Sequence, residues 1–85
     1  MNEIDFRLTA MDIVSDYIRK HLDFVDKNAE YAMFVVWMCK ILDNNKALIS
    51  TTLPDGMYYE VTYDGVSEKY YLDAYKKFDN IQISI

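Results

Sequence analysis

The sequence predicts an α+β domain: an N-terminal amphipathic helix packed on a four-stranded antiparallel meander. Three observations carry this. Apolar residues recur at helical spacing over residues 3–22. Residues 57–63 alternate, with Met57, Tyr59, Val61 and Tyr63 on one face and Tyr58, Glu60 and Thr62 on the other. Two turn signatures, Pro54-Asp55-Gly56 and Asp64-Gly65, punctuate the extended runs. A helix laid on one sheet is a two-layer way to bury a core in a chain of 85 residues. No repeat, low-complexity run or linker divides the chain, so one domain over residues 1–85 is expected.

The helix begins at Asn2, a capping residue, and Glu3 and Asp5 suit the positive end of its dipole. Ile4, Leu8, Met11, Val14, Ile18 and Leu22 form one stripe, expected to be the core face. A second stripe, Phe6, Ala10, Ile13 and Tyr17, runs beside it. At about 100° per residue the two together span roughly 200° or more of the circumference. Either the rest of the fold wraps most of the helix, or the second stripe meets a partner or a second copy of the chain.

Residues 23–30 read as a loop or helix end. Residues 32–42, AMFVVWMCKIL, read as a strand, because Phe34, Val35, Val36 and Trp37 favour extended backbone. Apolar residues fill both faces of that run, the pattern of a central strand or one covered on its second face. Asp43-Asn44-Asn45-Lys46 follows as a turn, since Asn tolerates positive φ. Residues 46–53 form the second strand, 57–63 the third and 68–72 the fourth. Asp73 then caps a short helix through Phe78, or the strand runs on to Tyr75. The closing IQISI has strand chemistry and could add at an edge.

Composition narrows the function classes. At 52% hydrophobic the chain is too apolar to be disordered. It lacks a run of about 18 apolar residues, so no membrane span is expected. The acidic start MNEIDF argues against a signal peptide. Its single Cys allows no internal disulfide. A cytoplasmic protein is the default expectation. The net charge of −5 repels phosphates, so direct nucleic-acid binding is not expected.

Catalytic constellations are missing from the pattern. The one His, His21, sits near the helix end, where a cation suits the dipole. Cys39 lies mid-strand among apolar residues and reads as a buried packing residue. One His and one Cys do not make a usual zinc site, and turns account for both glycines. Neither enzymatic activity nor a cofactor or metal is expected.

Two sets of residues remain as candidate sites. Tyr58, Tyr59, Tyr63, Tyr70, Tyr71 and Tyr75 sit on adjacent strands, where they can form cross-strand ladders. Those left exposed, with Phe6, Ile13 and Tyr17 of the second helix stripe, would make an interaction surface. Asp5, Asp12, Asp16 and Asp23 share one arc of the helix, in steps of roughly 10, 6 and 10 Å. That row is either a solvated face or an acidic mimic of nucleic acid, interrupted by Arg19 and Lys20.

One run also resembles known sequences. Val36-Trp37, Lys46-Ala47-Leu48, Ser50-Thr51-Thr52, Asp55-Gly56-Met57-Tyr58-Tyr59-Glu60, Thr62-Tyr63 and Tyr71-Leu72-Asp73-Ala74-Tyr75-Lys76-Lys77-Phe78 carry the resemblance. It covers about half of the chain, residues 35–80, and is to a family of small proteins of Gram-positive phages and prophages with no settled function. Tyr31-Ala32-Met33-Phe34 departs from it, being more apolar than the polar segment usual there. The resemblance implies a phage or prophage protein acting inside a bacterium, where such proteins often bind and redirect a host or defence protein. Three expectations follow. The first is a non-enzymatic protein that binds such a partner, with a homodimer as one form. The second is a nucleotide-like ligand held by Tyr59, Tyr63 and Tyr71. The third is the acidic mimic.

Overall fold

A computed structural model of the chain describes residues 1–21 and 30–85. Leu22 and Asp23, with all of the expected loop at 23–30 except Glu30, lie outside the described residues. The helix α1 (Glu3–His21) is followed by β1 (Met33–Ile41), β2 (Asn44–Thr51), β3 (Met57–Asp64) and β4 (Lys69–Lys76). The strands pair antiparallel in the order β1-β2-β3-β4, with α1 on one face chiefly over β2 and β3. This is the expected α+β meander.

Asn2 caps α1: its Oδ1 accepts the Asp5 N–H at 2.8 Å and its Nδ2 donates to Asp5 Oδ2 at 2.9 Å. The core consists of Phe6, Ala10, Val14 and Ile18 from α1, Ala47 and Ile49 from β2, and Tyr59 and Val61 from β3. Each large apolar side chain among them contributes about 1.5–3 kcal/mol by leaving water. The helix stripes are therefore redrawn. Phe6 and Ala10, assigned to the second stripe, are fully buried, whereas Ile4 and Leu8 of the expected core stripe are 71% and 59% exposed. The buried set is a single ridge at every fourth residue, and one sheet seats one such ridge. Ile13 and Tyr17 pack against the margin of the core.

Several boundaries move. The first hairpin turns at Leu42-Asp43, because Ile41 pairs with Asn44. The expected turn at 43–46 is instead largely strand. A two-residue loop matches the twist of a hairpin, and Leu42 provides the positive φ, 55°, that such a loop needs. β4 runs on to Lys76, so the helix expected from Asp73 to Phe78 does not form: pairing with β3 satisfies the backbone there. The IQISI segment makes no strand and is fully exposed. β1 is an edge strand, although its sequence reads as a central or doubly covered one.

The β1–β2 turn and the β3–β4 turn touch at one end of the sheet. Asp64 Oδ1 accepts the N–H groups of Val66 at 3.0 Å and Ser67 at 3.3 Å, and Gly65 N–H donates to Asn44 Oδ1 at 3.2 Å. A Cβ on Gly65 would overlap the Asp43 carbonyl oxygen, so this close approach requires glycine.

Candidate functional site

The helix covers one face of the sheet, and no described element covers the other. Strand alternation and register arrange that open face in three rows. Phe34, Ser50, Tyr58 and Tyr75 make the first; Trp37, Leu48, Glu60 and Asp73 the second; Cys39, Lys46, Thr62 and Tyr71 the third. A register shift between Val35 and Trp37 puts Trp37 in the middle row. Rows about 6.7 Å apart on strands about 4.8 Å apart make a platform roughly 14 × 14 Å between outer Cα atoms.

The platform is aromatic and electrically balanced. Exposure runs from 41% for Trp37 and 47% for Phe34 to 51% for Tyr71 and 52% for Tyr75. Lys46 and Glu60 form an ion pair at 3.4 Å near its centre. Alternation puts Asp64, Lys69, Asp73 and Lys77 on the same side, so the face is neutral in a chain of charge −5. A shallow depression of about 390 Å³ lies between Leu48, Tyr58, Tyr75, Lys76 and Lys77, with nearly all-apolar walls. Cys39 is exposed on this face rather than buried, because its strand is an edge.

The candidate tyrosines divide between the two faces. Tyr59 is fully buried under the helix, its ring edge-on to Tyr17 with centroids 5.8 Å apart. Burial pushes its hydroxyl up to about 12, reinforced by the charge of Asp55, and the hydroxyl has no hydrogen-bond partner among the described residues. Tyr63 and Tyr70 pair under the same layer, centroids 4.8 Å apart. Tyr58 and Tyr71 face outward. Tyr59 and Tyr63 therefore cannot line one pocket with Tyr71, and Phe6 and Tyr59 belong to the core rather than to a contact surface. Phe34 and Trp37 join the candidate surface without having been singled out beforehand. Their signal was the strand apolar on both faces.

The acidic row is uneven. Asp5 is engaged in the helix cap and Asp12 is exposed. Asp16 pairs with Lys20 at 2.9 Å and with Arg19, and the Lys20 bond leads in holding its carboxyl below the ordinary range. Asp23 lies outside the described residues. His21 stacks on Tyr17 at 4.5 Å, its Nδ1 lying 3.3 Å from the Tyr17 carbonyl oxygen. No group of three His, Cys, Asp or Glu residues among the described residues could hold a metal ion, and none of the described helices is long and apolar enough to cross a membrane.

The architecture is that of a small two-layer α+β domain with one uncovered aromatic sheet face. The chain belongs to the Family of unknown function (DUF6275), whose model matches residues 7–85. No curated protein and no solved structure matches it significantly.

Proposed function

We propose that this chain is a non-enzymatic, phage- or prophage-type protein that works in the bacterial cytoplasm by docking a host or defence protein on its open sheet face. The observation that carries the reading is the neutral platform of Phe34, Trp37, Tyr58, Tyr71 and Tyr75 on a chain whose core lies wholly on the other side. Aromatic side chains of this kind anchor protein interfaces, and an isolated apolar patch on a small domain marks a contact site. The phage context rests on the sequence resemblance alone. Capture from bacterial lysate tests the reading, comparing the wild-type chain with a Tyr71→Ala/Tyr75→Ala variant. A protein held by the first and lost by the second supports it. Recovery of nothing, or equal recovery by both, removes it.

The small-ligand reading retains one support, the depression beside Lys76 and Lys77, which would suit an aromatic ligand bearing negative charge. Thermal-shift screening with nucleotides checks it, and no shift at millimolar ligand excludes it. The acidic-mimic reading is weaker, because Asp16 is neutralised by its two cations.

A further inference from the structure

Lys77 is the last residue tied to the sheet, its N–H donating to the Gly56 carbonyl at 2.7 Å. Residues 78–85 run clear of the domain. Ile81, Ile83, Ile85 and Phe78 are all exposed. The isoleucines alternate with Gln82 and Ser84, the pattern of a strand with one apolar face.

We infer that residues 81–85 of one copy pair with the free edge of β1 in a second copy, reciprocally, forming a homodimer. Reach decides against pairing with the same chain's β1. The place beside that edge lies four strand spacings from β4, about 19 Å. The five steps from Lys76 to Ile81 span about 17 Å at full extension. In a second copy the segment needs no detour. A half-turn about an axis normal to the sheet, beyond the end where β4 leaves, sets β4 of each copy in line with the space outside β1 of the other. The segment then continues straight along the partner's β1, parallel to it.

Chemistry favours β1 over the other edge. β1 carries one charge, Lys40, and exposes Phe34, Val36 and Trp37. β4 carries Lys69, Asp73 and Lys76, charges that discourage strand addition. Residues 80–85 carry no charged side chain, so the contact brings together none of the acids of two chains of charge −5. Continuing the alternation of β4, the isoleucines would share the face of Tyr75 and lie beside Phe34 and Trp37 of the partner.

Light scattering on the full chain at about 100 µM, a concentration ample for a micromolar dimer, tests the inference. The expected mass is twice 10.1 kDa. A chain ending at Asn80, and separately Ile83→Asp, should run at the monomer mass while unfolding cooperatively, because the segment makes no contact with its own core. Trp37 is the only tryptophan, so its emission should shift to the blue on association of the wild type and not in either variant. A wild-type monomer at that concentration overturns the inference, whether the segment is free or folded onto its own β4. So does a dimer that survives truncation. Truncation leaves Tyr71 and Tyr75 in place, so partner capture through the open face is tested separately.

Discussion

The phenol of Tyr59 is the most testable feature of the core. It is fully buried, and its hydroxyl has no hydrogen-bond partner among the described residues. The charge of Asp55 also disfavours ionisation; its Oδ1 accepts from the Met57 N–H at 3.1 Å and its Oδ2 has no partner among the described residues. A buried hydroxyl without a partner carries a desolvation cost of about 1–3 kcal/mol. Tyr59→Phe removes that cost, keeps the ring against Tyr17 and leaves little void. We expect the variant to be more stable at pH 7 by about 1 kcal/mol. The alkaline limb gives an independent reading. The folded value of about 12 lies above the ordinary value near 10. Stability from keeping the phenol neutral is therefore complete below about pH 10 and is lost as pH rises from there through about 12. Two units correspond to roughly 2–3 kcal/mol, a sizeable share of the roughly 4–13 kcal/mol expected for a domain of this length. The Tyr59→Phe side chain cannot ionise, so the advantage of the variant should widen between about pH 9.5 and 11.5. Urea unfolding of both proteins at pH 7 and pH 11 measures it. Loss of about 1 kcal/mol or more at pH 7 would mean that the hydroxyl is satisfied, and a constant difference across pH would mean that it is solvated. Either result refutes the reasoning.

Three further outcomes test the frame around the core. Gly65→Ala drives a methyl into the Asp43 carbonyl, and separating two backbones should cost about 2–3 kcal/mol in urea unfolding. Leu42→Gly should raise stability by about 0.5–1 kcal/mol, because Leu42 is 89% exposed and holds a φ of 55° that glycine adopts without strain. Asp64 is held below the ordinary carboxylate range, first by the Ser67 N–H and also by Val66 N–H and Lys69. Its contribution is present above about pH 4 and fades as pH falls through the lowered folded value, so Asp64→Asn should flatten part of the acid limb of a Tm profile between about pH 6 and 2.5.

The sheet was legible because its signals are local. Pro54-Asp55-Gly56 and Asp64-Gly65 place turns by backbone chemistry, and the period of two in residues 57–63 assigns Tyr59 and Val61 to one face without knowledge of the rest. The helix was legible in extent but not in orientation. Its apolar arc is wider than one sheet can cover, so spacing alone could not choose between the ridge from Phe6 to Ile18 and the stripe through Ile4 and Leu8. β1 misled for a related reason. Residues apolar on both faces predict cover on both, yet no described element covers one of them. Part of the candidate surface was therefore legible: alternation sets Tyr58 opposite Tyr59, whereas Tyr71, grouped with Tyr59 and Tyr63 in the ligand expectation, needed the β3–β4 register to place it. Phe34 and Trp37 required knowing that β1 lies at an edge. Leu42 breaks the local rule that Asn and Gly occupy positive φ, and the Asp43-Asn44-Asn45 run beside it drew the turn two residues too far along.

The two surfaces left open by the fold constrain one another. An exchange of residues 81–85 about an axis normal to the sheet turns each copy in the plane of its own strands. Both open faces then look the same way, and the two helices, with Asp5 and Asp12, look the other. Two neutral aromatic platforms side by side would engage a dimeric or repetitive target twice. The second contact would be intramolecular, which can raise apparent affinity by about 10²–10⁴ with no new chemistry at either face. The arrangement therefore predicts a difference between variants: truncation at Asn80 should weaken capture of a multivalent partner far more than that of a monovalent one. Tyr71→Ala/Tyr75→Ala should abolish both. If truncation left multivalent capture unchanged, the two platforms would be acting alone, and pairing of the segment would have a role in stability only.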